Sequence, residues 1–344
     1  MEKEITKKIL VVNVNWIGDV LFSTPAIRAL RKHYPYAHIA CMVVPRCREV
    51  LELNPNINEM IIYDEKGEYK GLTGKMKLIS ALKARSFDTV YLFHRSLTRT
   101  LMVALSGIKE RVGIDNPKRG FLLTKRIDPQ PADIHKVEQF LNIVRATGVP
   151  DDGKDMEVRL SKSDEAFAAS FLKSQGIKEG APFIILNPGG NWDLKRWPAE
   201  NFAGLGDRLQ KKYGMPVILT GAGKDVGLAE KIAGMMDRKP VIAAGTTSLR
   251  QLAAIMKRAA LVVSNDSGPM HIAVSQGVKT IAIFGPTDPK LTGPYGSGVY
   301  TVLQKSTGKP GCKIPCYNLR CEEPLCMEAV SVDEVAREAE RLLK

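Results

Sequence analysis

Four polar clusters hold the side chains that could do chemistry. The richest is Ser264-Asn265-Asp266-Ser267-Gly268-Pro269, with His271 just beyond it. Apolar Leu261-Val262-Val263 precedes it; Ile272-Ala273-Val274, a second apolar run at 280–284 and Gly285-Pro286-Thr287-Asp288-Pro289 come after it. Strand, glycine turn, helix and strand is how an α/β protein builds an anion site, because free backbone N–H groups and the positive end of the helix dipole point at the ligand. Ser267 and Gly268 can take phosphate oxygens at the helix start. Asp266 can accept from a ribose hydroxyl or an amide, or orient His271, which lies within reach of a phosphate. The competing reading makes His271 an ordinary packed residue.

A second cluster runs from Asn187-Pro188-Gly189-Gly190-Asn191 through Lys195-Arg196-Trp197-Pro198. Its glycines can present N–H groups, and its two cations can neutralise a diphosphate; otherwise it is a surface loop with solvated charges. In the third, Thr220-Gly221-Ala222-Gly223-Lys224-Asp225, the spacing excludes a Walker phosphate loop. Asp225 there is either a ribose ligand or a helix cap. The fourth, Asn15-Trp16-Ile17-Gly18-Asp19, comes directly after the first apolar run. Gly18 permits a tight turn and close approach of a ligand. Asp19 either caps the next helix or acts as a general base at the carboxyl end of a strand. No G-x-G-x-x-G occurs in that loop.

The elements that must hold these clusters alternate β and α almost throughout. Strands are expected at 9–14, 39–44, 60–63, 89–92, 110–112, 183–186, 217–220, 262–264 and 280–284. Helices are expected at 20–33, 46–53, 75–85, 98–105, 135–147, 164–175, 199–212, 225–236, 248–258 and 332–343. Such alternation implies parallel sheets covered on both faces. At 344 residues the chain exceeds what one core usually holds. Residues 1–165 and 166–330 are read as two domains, and 331–344 as a last helix packing back on the first.

The net charge of +13 is concentrated early: residues 1–150 carry 24 Lys/Arg against 15 Asp/Glu. That favours an anionic partner (nucleic acid, phosphorylated lipid or acidic membrane surface) or simply a basic exterior. No run is long enough to span a membrane, and the acidic start does not read as a signal peptide, so a cytoplasmic protein is expected. Cys312, Cys316, Cys321 and Cys326 fall within fifteen residues. Without a C-x2-C knuckle they read first as free thiols and second as a zinc site. The zinc reading joined to the basic half would make a nucleic-acid-binding protein. Few aromatics and no recognisable module speak against that.

Taken in order, Trp16-Ile17-Gly18-Asp19-Val20, Asn187-Pro188-Gly189 with Lys195-Arg196-Trp197-Pro198, and Asn265–His271 with Phe284-Gly285-Pro286-Thr287-Asp288-Pro289 resemble the family 9 glycosyltransferases, the ADP-heptose:lipopolysaccharide heptosyltransferases. The version at 265–271 and the late cysteines are similar to the heptosyltransferase II branch. The resemblance implies a GT-B fold: two Rossmann-like α/β domains facing a cleft, the first for the acceptor and the second for the ADP-sugar. It implies inverting transfer of L-glycero-D-manno-heptose from ADP-heptose to the lipopolysaccharide inner core, or a family variant using another nucleotide sugar or surface glycan. Asp19 matches the base and Lys195 the cation at the departing diphosphate. Gly18, Gly190, Asn191, Asp225, Thr247, Asp266, Ser267, Gly268 and His271 match substrate-binding positions. The resemblance further implies that neither metal nor cofactor is required, that nucleic acid is not a partner, and that the enzyme associates peripherally with the inner membrane from the cytoplasmic side.

Overall fold

A computed structural model describes residues 7–309, 312–316, 318 and 320–344. The first six residues, on which the signal-peptide reading partly rests, lie outside the described residues. By its internal contacts the chain divides into Met1–Arg159 and Leu160–Lys344, a few residues before the expected boundary at 165. The reason is local. The helix Lys162–Ser174, capped by Ser161 and Asp164, packs on the helix Leu249–Met256. It is tied there by Arg250–Asp164 at 3.0 Å and Lys257–Glu165 at 3.0 Å.

The first unit holds β1 (Lys8–Val12), β2 (His38–Val43), β3 (Glu59–Ile62), β4 (Thr89–Leu92), β5 (Glu110–Ile114) and β6 (Lys125–Ile127) in the order β3-β2-β1-β4-β5-β6. The second holds β7 (Ile184–Asn187), β8 (Val217–Leu219), β9 (Val241–Ile242), β10 (Leu261–Asn265), β11 (Thr280–Phe284) and β12 (Tyr300–Gln304) in the order β12-β11-β10-β7-β8-β9. Read from its other edge, the second order is the first again. All pairings are parallel; Ile9 lies beside Ile39 and Thr89, and Ile184 beside Val217 and Leu261. Both sheets are therefore doubly wound α/β sheets, as expected. In such sheets the crevice opens where the strand order reverses, at the carboxyl ends of β1 and β4 and of β7 and β10. Every residue of β7, β10 and β11 is buried, which is why these strands read as unbroken apolar runs.

Three strands were not expected: β6, β9 and β12. All are edge or near-edge segments, short or half-exposed, without the apolar run that marks a central strand. The helix expected at 20–33 is two helices, Ile17–Phe22 and Thr24–His33, separated at Ser23. Pro25 has no N–H to continue the ladder, and the Ser23 hydroxyl donates to the Val20 carbonyl at 2.6 Å. The segment expected at 46–53 is a 3-10 turn, Pro45–Cys47, followed by one helical turn, Arg48–Leu51.

The last helix, Val332–Leu343, also differs from expectation. Its apolar stripe, Val335, Ala336, Ala339 and Leu342, is buried in the core of the second unit with β10 and β11. The spacing of these residues makes a single apolar face, and that face is used on its own domain. Trp197 joins the same core: its indole packs edge-on to Phe202 at 5.0 Å and donates to the Val330 carbonyl at 2.7 Å. Trp197→Ala removes a buried aromatic and orphans that carbonyl. It is expected to cost about 3–5 kcal/mol, measured by urea unfolding; a loss within experimental error would mean the indole is not a core anchor.

Candidate active site

In the second unit the loops after β7 and β10 are stitched together at the strand reversal. Asn187, the last residue of β7, donates to the hydroxyls of Ser264 at 3.0 Å and Ser267 at 3.2 Å. It accepts from Thr220 at 3.1 Å. Asn265, the last residue of β10, donates to the Pro188 carbonyl at 2.8 Å and accepts from the Trp197 N–H at 3.0 Å. Both asparagines are buried, so each spends its amide on holding the two loops in register.

That frame sets one cation in place. Lys195 Nζ lies 2.7 Å from Asp266 Oδ2, and the Thr287 hydroxyl donates to the same oxygen at 2.6 Å. The Asp266 side chain is 6% exposed and Lys195 23%, so the carboxylate is an internal anchor and the ammonium is the end that meets solvent. The helix Gly268–Ser275 starts directly after Ser267, with no side chain capping its free N–H groups. A fixed ammonium and an uncapped helix start, joined through Asp266, suit a departing diphosphate. His271 is buried within this helix.

The neighbouring cations have different jobs from those the sequence suggested. Arg196 bonds the Gly190 carbonyl at 3.0 Å and Asp225 at 3.1 Å. It therefore braces the glycine loop. Asp225 is buried, accepts from the Ala222 N–H at 3.0 Å, and sits under Gly189, where an added Cβ would lie 2.6 Å from its Oδ2. Its carboxylate is bonded to Arg196 and the Ala222 N–H, and the Asp225 side chain leaves no room for a side chain at Gly189 or Gly221. Sequence reasoning misses Lys224: its Nζ reaches both the Gly190 carbonyl and Asn191 Oδ1 at 3.1 Å. Thr247 is half-buried just before Ser248, which caps the helix Leu249–Met256.

In the first unit, Gly18 lies inside the first turn of the helix Ile17–Phe22, which begins earlier than expected. Trp16 is the capping position and no side chain makes a cap bond, so Asp19 is not used as a cap. The Trp16 loop is braced by Arg46, stacked on the indole at 4.2 Å and bonded to the Asn15 carbonyl at 2.8 Å. Asp19 instead faces Lys136 Nζ at 3.3 Å. Lys136 opens the helix Lys136–Arg145. A cation at a helix start opposes the dipole unless an anion answers it, and that misplacement was the signal available in the sequence.

At the end of β4, His94 and Arg99 meet Arg119. Arg99 donates to the Asn13 carbonyl at 3.1 Å, and Arg119 donates to the His94 carbonyl at 3.0 Å and Thr100 at 3.1 Å. Burial, then the two guanidinium charges, push His94 down to about 4, so it is neutral at pH 7. Because the folded state resists protonating it, its contribution to stability is intact above the ordinary histidine range. That contribution falls as pH drops from about 6.5 toward 4. His94→Gln is therefore expected to flatten the acid side of the stability–pH curve. Identical acid limbs for parent and variant in thermal melts would refute this.

The late cysteines line one cavity of about 310 Å³, with Leu194 and Pro286 on its wall. Burial, and after it the neighbouring thiols, hold the Cys326 thiol above its ordinary range. Among the described residues no group of three or more His, Cys, Asp or Glu is arranged to hold a metal ion.

Comparison with known proteins adds identity to this geometry. Residues 75–321 match the family described as glycosyltransferase family 9 (heptosyltransferase). The lipopolysaccharide core heptosyltransferase OpsX of Haemophilus influenzae is 26% identical, over 91% of this chain and 90% of its own. The structure of a family 9 glycosyl transferase from Veillonella parvula superposes with a TM-score of 0.87 at 28% identity, covering 99% of this chain and 98% of that one. The ADP-heptose lipopolysaccharide heptosyltransferase II of E. coli superposes with a TM-score of 0.80 at 25% identity, covering 98% of each chain. The two doubly wound domains are those of a GT-B protein, and nothing in the fold or the comparisons supports a nucleic-acid-binding protein. A family match over most of the chain and superposition along nearly its whole length bring the motifs and the fold to one conclusion: this chain belongs to glycosyltransferase family 9 and is a glycosyltransferase.

Proposed function

We propose that the enzyme transfers L-glycero-D-manno-heptose from ADP-heptose to a hydroxyl of the lipopolysaccharide inner core, inverting the anomeric centre. The single observation that carries this is the anchored Lys195 beside the uncapped start of the helix Gly268–Ser275. Heptosyltransferases with these substrates in their names match over nearly the whole chain, which supports the choice of sugar and acceptor. The first domain serves the acceptor and the second the donor.

In this reading Asp19 takes the proton from the acceptor hydroxyl as its oxygen bonds to the anomeric carbon. The bond from that carbon to the β-phosphate oxygen breaks at the same time, and ADP leaves with the electron pair. One displacement inverts the centre and needs a single base. Lys136 keeps a positive charge beside Asp19 and orients its carboxylate. Charge growing on the β-phosphate meets Lys195 and the N–H groups at Ser267 and Gly268. Gly190 and Asn191, steadied by Arg196 and Lys224, offer backbone and amide contacts to the nucleotide sugar. Asp266 and Asp225 act as positioning groups through Lys195 and Arg196, and His271 serves the donor near the diphosphate. So written, the reaction calls for no cofactor beyond the donor.

The enzyme works on the cytoplasmic face of the inner membrane, where a lipid-anchored acceptor is presented. Among the described residues no helix is long and apolar enough to cross a membrane; in this reading the enzyme attaches peripherally. The deciding experiment offers purified protein a deacylated inner-core acceptor with ADP-heptose and, separately, with other nucleotide sugars. Turnover with ADP-heptose alone supports the reading. Turnover only with another donor moves the enzyme to the family variant, and none with any donor overturns both.

A further inference from the structure

The helix Leu97–Leu105 buries one row, Arg99, Met102 and Val103, against the first sheet. Its opposite row repeats every fourth residue as Leu97, Leu101 and Leu105, all exposed, Leu105 to 57%. An i, i+4, i+8 row of leucines facing water is not the outer face of an ordinary amphipathic helix. The helix touches two neighbours that carry the same kind of side chain. One is the turn Gly120–Leu122, whose Phe121 is 69% exposed. The other is the helix Gly71–Arg85, whose first turns present Leu72 and Met76, Leu72 at 77% exposure.

The charges around these side chains are one-sided. Residues 66–126 carry fourteen Lys/Arg against four Asp/Glu, which is ten of the chain's thirteen net positive charges. Lys70 precedes Leu72, Lys75 precedes Met76, Arg95 lies two residues before Leu97, and Lys118 lies three before Phe121. Among the described residues none of these four is in an ion pair with a carboxylate. A second copy of the chain would bring two such fields together and be repelled. Nucleic acid would meet leucines where it needs polar and stacking groups. An anionic bilayer surface suits both features: leucine and phenylalanine enter the headgroup boundary while lysine and arginine meet the phosphates.

We infer that this face, Leu72, Met76, Leu97, Leu101, Leu105 and Phe121 with its basic rim, is where the enzyme docks on anionic lipid. Leu97 opens its helix just past the carboxyl end of β4, the strand paired with β1 whose end leads to Asp19. Docking there would hold the functional edge of the first sheet close to the membrane plane. The identity of the membrane rests on the proposed function; the surface does not.

The test is flotation of the full chain with vesicles of phosphatidylethanolamine and phosphatidylglycerol, and with vesicles of phosphatidylcholine alone. Neither contains acceptor or donor, so the result is independent of the transferase reading. That reading is scored separately, by turnover of deacylated acceptor. The chain is expected to float with the anionic vesicles only, and less so as salt rises. Leu101→Ser/Leu105→Ser is expected to lower partitioning at least about tenfold. Lys70→Ala/Lys118→Ala, which leaves the apolar row whole, is expected to lower it by about tenfold or more. Both variants should keep the parent's circular dichroism and its turnover of deacylated acceptor. Equal flotation with both vesicle types, or variants that float like the parent, would overturn the inference. So would a parent dimer that the leucine variant dissociates without loss of flotation, which would make the face a protein interface.

Discussion

Asp19→Asn is expected to lower turnover by about 10²–10⁴-fold while ADP binding and thermal stability stay near those of the parent. The carboxylate makes no helix-cap bond, so folding does not depend on it, and an amide of the same shape keeps the local packing. What the amide lacks is the capacity to take a proton. Lys136 would then face a neutral group at 3.3 Å, a partly exposed contact that costs little. Release of ADP from ADP-heptose, followed with saturating acceptor, gives the rate, and calorimetric titration with ADP gives the binding. Turnover within tenfold of the parent would remove Asp19 as the base. Lost ADP affinity would show that the change acts by disturbing the fold.

Lys195→Ala is expected to lower kcat/KM for the donor by about 10²–10³-fold, with losses in both KM and kcat. The ammonium meets the diphosphate in the bound donor and meets more charge as the leaving group departs, so it contributes before and during the displacement. The variant also deprives Asp266 of its cation, and a buried carboxylate left alone is costly. Thr287→Val separates the two effects. It removes the other bond to Asp266 Oδ2, 2.6 Å long, but leaves Lys195 charged. That variant should lose some stability and little turnover. Kinetics unchanged in Lys195→Ala would take the lysine out of the site. Equal kinetic losses in the two variants would reassign the effect to Asp266.

How much of this was legible in the sequence varies with burial. β10 and its helix were readable because Leu261-Val262-Val263 is apolar without interruption and Gly268-Pro269 marks the start of the next helix. β6, Lys125–Ile127, reads as a charged loop because an edge strand needs only one bonded side, and only Ile127 of its three residues is buried. Site residues divided in the same way. Asp19, Lys195 and Asp266 could be placed in the segments that follow β1, β7 and β10, since loop position is set by the strand pattern, while the roles proposed for them are what the family resemblance implies. The direction of a side chain is not. Arg196 beside Lys195 looked like a second phosphate ligand, and only the distance to Asp225 reveals it as a brace. Lys136 is 117 positions from Asp19, and no local pattern pairs residues so far apart.

The matched strand orders of the two sheets also govern how the chain is made. β1 is central in its sheet, flanked by β2 and by β4, and its Ile9 pairs with Thr89. Once synthesised, β1 must therefore wait, with one edge unsatisfied, until some eighty further residues have followed. The same delay recurs when β7 waits for β10, where Ile184 pairs with Leu261. Non-local parallel pairings form slowly, and their waiting edges attract other chains. Each half thus has its own interval of exposure during synthesis. The first closes only once β6, ending at Ile127, has emerged, well before any strand of the second sheet exists.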